Sequence, residues 1–319
     1  MSSYKNKHLI NLPIMDISED NVVLPLVINV VAKYWGEDLV ITNYPDLSKN
    51  YNKSGGSIIF EGLKILQKKG FSYYVYKGSL KDLKKRIDQS IPPIVIMPGI
   101  ANVTQHATIV SGYDDDERRI IIYVPEPDTY GAIPENQFES EWNQDDNLTI
   151  IIVPNDMKSI VEKDVLVNVN SNKLCLEAES YLAYGKFNDA VKLLKNAVGL
   201  DNNNSHAWFL LGTTYSELGN SEALSCLNQV IAINPKHFLA LRGLGNYYLK
   251  QKDYANAENY YSMAINVNPN RYTSIYKNRA IVRLNLGNNK DAKTDLLEYL
   301  KNNPNSADYD NIAKTCETL

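Results

Sequence analysis

The sequence predicts a chain in two parts: an α+β amino-terminal half and an all-α superhelical repeat array behind it. Three observations carry this. Pro235, Pro269 and Pro304 close segments of nearly equal length that share one order of small, aromatic and aliphatic residues. Upstream of about residue 155 that period is lost, and short β-branched runs alternate with amphipathic stretches. With 319 residues the chain is long enough for two cores. The expected boundaries are 1–155 for the first unit, 156–173 for a polar connection with a valine-rich patch, and 174–319 for the array.

The repeat is clearest in Trp208, Leu211, Gly212 and Tyr215, followed by Gly219, Ala223, Leu227 and Pro235. A second unit has Leu244, Gly245, Tyr248, Ala257, Tyr261, Ala264 and Pro269, and a third has Ala280, Gly287, Ala292, Leu296 and Pro304. A weaker first unit holds Tyr181, Gly185, Ala190, Leu194 and Ala197, with Asn202 where a proline would close it. The pattern resembles the tetratricopeptide (TPR) consensus, whose period is about 34 residues. Each unit reads as two helices whose small residues let the backbones approach and whose large residues fill the gaps. Proline ends the second helix because it cannot continue one. A single unit cannot bury its apolar face, so stacking supplies the core. Residues 305–319 are expected to form a capping helix, giving about four helix pairs plus a cap.

The TPR resemblance implies a protein or peptide ligand on the concave wall. The register places Phe209 and Thr213, then Arg242, Asn246 and Leu249, then Lys277, Ile281 and Leu284 on that wall. Arg242 and Asn246 are four apart and share a helix face. With Lys277 they are similar to part of the carboxylate clamp of some TPR domains. The competing reading is a solvated wall with no specific ligand.

In the first half, His8–Met15 reads as an entering strand and Pro25–Trp35 as a helix with proline in its first turn. Ile58–Lys69 is a second helix ended by Gly70, Phe71–Tyr76 a strand, and Ser79–Asp88 a helix with serine as N-cap. Pro93–Met97, Ala107–Tyr113, Arg119–Val124 and Leu148–Val153 read as strands, with a turn at Asp114–Asp116.

Several segments resemble the bacteriocin-processing (double-glycine) cysteine peptidases, a papain-like family. They are Pro25-x10-Gly36; Gly56-Ser57-x4-Gly62 with Ile65 and Gly70; Pro93–Ile96; His106-x2-Ile109-Val110-x-Gly112-Tyr113-Asp114; and Phe138-x3-Trp142. The resemblance implies a papain-like fold over residues 7–154. It also implies where the chemistry would lie: a thiolate at the N-terminus of the first helix, a facing histidine, and an orienting acid. Carried over residue by residue, the nucleophile position is Val23, in Val23-Leu24-Pro25, and the acid position is Val124, before Pro125. The expected oxyanion-hole glutamine is missing, with Ile17 and Ser18 in its place, so His106 is the surviving member. Valine cannot attack a carbonyl, and Cys175, Cys226 and Cys316 all lie in the repeat region. The reading is a pseudopeptidase and not an enzyme. The alternatives are a hydrolase using another nucleophile, such as Ser18 or Thr104, or an inert structural cap on the array.

Other chemistry is disfavoured. The four histidines (His8, His106, His206, His237) form no metal-ligand spacing, and no phosphate loop is present, so neither metal nor cofactor is expected. A net charge of -4 argues against general nucleic-acid binding. Residues 1–16 lack the apolar core of a secretory signal, and no run is long enough to span a membrane. Three widely spaced cysteines fit a reducing compartment, so a cytoplasmic location is expected. The oligomeric state is not readable from the sequence.

Overall fold

The computed structural model describes residues 7–14, 26–37, 39, 59–99, 105–124 and 130–319. Val23, Leu24, Pro25, Ile17, Ser18, Thr104, Pro125 and the Gly56-Ser57 pair lie outside the described residues.

The first half contains β1 (Lys7–Leu9), α1 (Leu26–Tyr34), α2 (Ile59–Lys68), β2 (Phe71–Lys77), α3 (Leu80–Asp88), β3 (Ile94–Pro98), β4 (Gln105–Asp114), β5 (Arg119–Tyr123), β6 (Tyr130–Pro134), α4 (Glu135–Trp142) and β7 (Leu148–Pro154). The described strands form a seven-stranded sheet in the order β2-β7-β3-β4-β5-β6, with β1 added beside β4. All pairings are antiparallel. Strands rich in Ile and Val supply a buried face onto which α1 and α2 pack, through Ile28, Val31, Leu63 and Leu66. Trp35 at the end of α1 donates its indole N–H to the Ile152 carbonyl of β7 at 2.9 Å. Ser79 caps α3 by accepting from the Asp82 N–H. Gly112 has a steric reason: a Cβ there would lie 2.3 Å from the His8 carbonyl oxygen, so only glycine lets β1 close on β4.

Strand β6 and helix α4 are additions to the elements read from the sequence. Phe138 and Trp142 of α4 are fully buried, with rings 5.5 Å apart. The Asp114–Asp116 turn is made by the Asp114 carboxylate, which accepts from the N–H groups of Asp116 and Glu117.

Between the halves lies a short helix, α5 (Lys158–Val161). This stretch is anchored in three places. Val161 is buried beside Tyr76, Ile91, Ile151 and Val153. Asp164 pairs with the buried Arg86 at 2.9 Å. The Val167 carbonyl accepts from the Lys77 N–H. Val165 and Val167 stay exposed.

The array has four helix pairs: α6 (Val169–Ala183) with α7 (Phe187–Leu200), α8 (Ser205–Glu217) with α9 (Glu222–Ile233), α10 (Phe238–Lys250) with α11 (Tyr254–Val267), and α12 (Ser274–Asn285) with α13 (Asn289–Asn302). Helix α14 (Tyr309–Thr318) closes it. Ala190, Ala223, Ala257, Ala280 and Ala292 are completely buried, as is Tyr261. The turn inside each pair holds one residue in the left-handed region at the same repeat position: Gly185, Gly219, Lys252 and Gly287, with φ of 68°, 67°, 59° and 78°. No helix among the described residues is long and apolar enough to cross a membrane.

Candidate functional site

The wall residues sit on α8, α10 and α12, in several different environments. Phe209 is half-buried and lays its ring 4.7 Å from the His237 ring. Thr213 spends its hydroxyl on the Phe209 and Leu210 carbonyls of its own helix. The Arg242 guanidinium stacks on Tyr272 at 4.2 Å, and among the described residues it has no carboxylate partner. Asn246 accepts through its side-chain oxygen from the Tyr261 hydroxyl at 2.7 Å and from Asn278 at 3.4 Å. Leu249 and Leu284 are half-buried against the array core, whereas Ile281 is 40% exposed.

Lys277 differs from its expected partners. It is ion-paired with Asp308, at the start of α14, and lies over the Tyr299 ring. Arg242 and Asn246 thus share α10, four residues apart, whereas Lys277 has a counter-ion of its own.

In the first half, His106 stands near the start of β4, half-buried. Its Nδ1 lies 2.7 Å from the Pro98 carbonyl oxygen, which can only accept, so Nδ1 carries the proton. Among the described residues no carboxylate orients the ring. Val124 follows β5 and packs over Gly131, where an added Cβ would meet its Cγ2 at 3.1 Å.

A second cluster, not anticipated from the sequence, joins the two halves. After α4 the chain makes a tight turn, with Asp146 and Asn147 both in the left-handed region at φ of 59° and 55°. This turn docks Gln144, Asp145 and Asp146, each 3% exposed, onto the inter-repeat turns of the array. Asp145 accepts from Arg271 Nη2 at 2.7 Å and from the Gln105 side chain of β4. Asp146 accepts from the Ser205 hydroxyl and from Asn234 Nδ2 at 2.9 Å through one carboxylate oxygen, and its other oxygen lies 3.2 Å from His237 Nε2. Asn234 also donates to the Asn143 carbonyl, and Asn268 donates to the Gln144 side chain.

His237 caps α10 by accepting the Ala240 N–H at Nδ1, so its Nε2 carries the proton and faces Asp146. Asp146 thus meets the N-terminal ends of α8 and α10, where helix dipoles favour an anion. Burial alone would raise its carboxyl, but His237, Ser205 and Asn234 hold it well below the usual carboxylate range. Burial raises Asp145 against the pull of Arg271, and burial lowers Arg271. Beside this cluster, His206 Nε2 lies 3.9 Å from Glu179, and burial pushes the His206 imidazole down to about 4. A sequence signal for the cluster existed: Asn-Pro recurs at 234, 268 and 303, with His237 and Arg271 three residues after the first two asparagines.

The TPR family model matches residues 181–244 and, in a second form, residues 238–271. Residues 181–271 are tetratricopeptide repeats. Among solved structures, a crystal structure of MamA is 24% identical over 48% of this chain and 87% of its own, with a TM-score of 0.40. The structure titled "Functional Characterization of Pseudomonas Aeruginosa pilF" is 20% identical over 46% of this chain and 68% of its own, with a TM-score of 0.41. No curated protein sequence matches the chain.

Proposed function

We propose that this chain is a non-catalytic scaffold that binds a protein or peptide on the concave wall of its TPR array. The observation that supports it is the repeat array itself, because stacked helix pairs form a curved wall of side chains suited to holding another polypeptide. On that wall Arg242 has no counter-ion among the described residues, and the engaged oxygen of Asn246 leaves its amide as a donor. Two donors four residues apart suit a carboxylate or carbonyl of the ligand, with Leu249, Ile281 and Leu284 contacting its apolar side chains. Lys277, held by Asp308, contributes less than its position in the register implies.

In this reading residues 1–155 form a pseudopeptidase of papain-like fold, joined through 156–173 to 174–319, in a cytoplasmic protein. Support comes from the hydrocarbon side chains at Val23 and Val124 and from the backbone tether of His106. Affinity capture with the intact protein tests the scaffold role. A partner retained by the wild type and lost with Arg242→Glu, while the melting transition is unchanged, supports it. Equal retention by both proteins counts against the wall as the binding face. Labelling of the first half by a fluorophosphonate or vinyl-sulfone probe, abolished in His106→Ala, would replace the scaffold reading with an enzyme.

A second reading, that the first half caps the array, is favoured by Leu176. This α6 residue is buried in the same apolar cluster as the sheet of the first half. The two roles are compatible, since Leu176 lies on α6 and the wall residues lie on α8, α10 and α12.

A further inference from the structure

The docked turn has a feature that an ordinary contact between two units lacks: its partners repeat. Asn234 and Asn268 are equivalent residues of successive helix pairs, and both donate to the 143–147 turn. His237 and Arg271 are likewise equivalent, and they hold Asp146 and Asp145. Ser205, the first residue of α8, extends the strip by one more pair. Three consecutive inter-repeat turns therefore present polar groups to one short acidic segment, each beside the N-terminal end of a helix. The strip is lined by donors and the segment supplies the acceptors.

We propose that Asp145 and Asp146 act as an internal ligand, filling an acid-binding strip on the repeat array and keeping it closed to acidic peptides from other chains. The strip lies at the turns between helix pairs, apart from the wall residues Arg242 and Asn246. Its occupant in trans is an acidic peptide with adjacent carboxylates, because that is the chemistry the strip holds in cis. A partner of this kind gains the strip only by displacing the turn, so the contact sets a threshold on binding.

The test uses the full chain and a fluorescein-labelled synthetic peptide spanning residues 141–149. Wild type should leave the peptide unbound into the millimolar range. Asp145→Asn/Asp146→Asn, which loosens the internal ligand, should bind it at least ten-fold more tightly. A peptide with both aspartates changed to asparagine should not bind. Adding Arg271→Met to the open variant should abolish binding, whereas adding Arg242→Glu should not, which separates this strip from the wall. A folded open variant that ignores the peptide, or a wild type that binds equally well, overturns the proposal. If the double variant does not fold, Asp146→Asn alone takes its place. Should that fail to fold too, the turn is a folding element and the proposal falls.

Discussion

His237 and Arg271 occupy the same point of successive helix pairs, and they hold the neighbouring carboxylates of Asp146 and Asp145, at 3.2 and 2.7 Å. The repeat period of the array is thereby converted into a spacing between polar groups that fits two adjacent residues of the first half. The two bonds are not alike. Arg271 brings a full positive charge, whereas His237 is held by the α10 cap as the neutral tautomer protonated at Nε2.

The Asp145–Arg271 pair is 0–1% exposed at its side chains, so removing one partner strands the other. Arg271→Ala is expected to cost about 3–5 kcal/mol in urea unfolding. The double change Asp145→Asn/Arg271→Met should cost much less than Arg271→Ala, because both ions then leave together. Equal losses would show that the ionic pairing is not what matters there.

His206 gives a pH dependence with a definite sign. Its folded-state pKa of about 4 lies below the ordinary imidazole value, so protons bind the unfolded chain preferentially. The stability it contributes is complete above about pH 6.5 and is lost as pH falls toward 4. Melting temperatures across that window should fall more steeply for wild type than for His206→Gln. An NMR titration of the imidazole with a midpoint near 6.5 would contradict the burial argument.

Lys252 occupies the left-handed position that glycine fills in the other three helix pairs. A side chain there costs about 1–2 kcal/mol of backbone strain. Lys252→Gly should therefore stabilise the protein, by roughly 1 kcal/mol once the added freedom of the unfolded chain is counted. A lower melting temperature would show that the lysine side chain makes a compensating contact.

Three glycines rank by what surrounds them. A Cβ on Gly245 would lie 2.5 Å from the buried Tyr261 ring, whereas one on Gly243 meets nothing closer than 3.5 Å. Gly245→Ala should destabilise by about 1–3 kcal/mol. Gly243→Ala should stabilise by about 0.5–1 kcal/mol through helix propensity. Gly212, with its nearest atom at 3.0 Å, should fall between them. Denaturation midpoints of the three variants check the order.

Much of the fold was legible because its signals are local. The helix from Ser79 carries its cap in the adjacent residue, and the Asp114 turn is closed by the Asp114 side chain itself. Strand β6 is not legible because Tyr130–Pro134, with exposed and half-exposed residues, has no apolar run to mark it. Helix α4 is hard to read as an element from Phe138 and Trp142, since two apolar residues over eight positions make a thin stripe. Of the candidate wall, the residue positions were readable but their partners were not. Lys277 meets Asp308 only because the residue that opens α14 is brought to α12 from 31 residues away.

The sequence by itself determined the repeat array, because each helix pair states its own small, large and turn residues within some 34 positions. Only the tertiary structure decided that Asp145 and Asp146 are buried acids held by the array. On their own they read as two exposed charges in a polar turn. Their burial becomes tolerable only when Ser205, Asn234, His237 and Arg271 converge from 59 to 126 residues away, and no local pattern encodes that convergence.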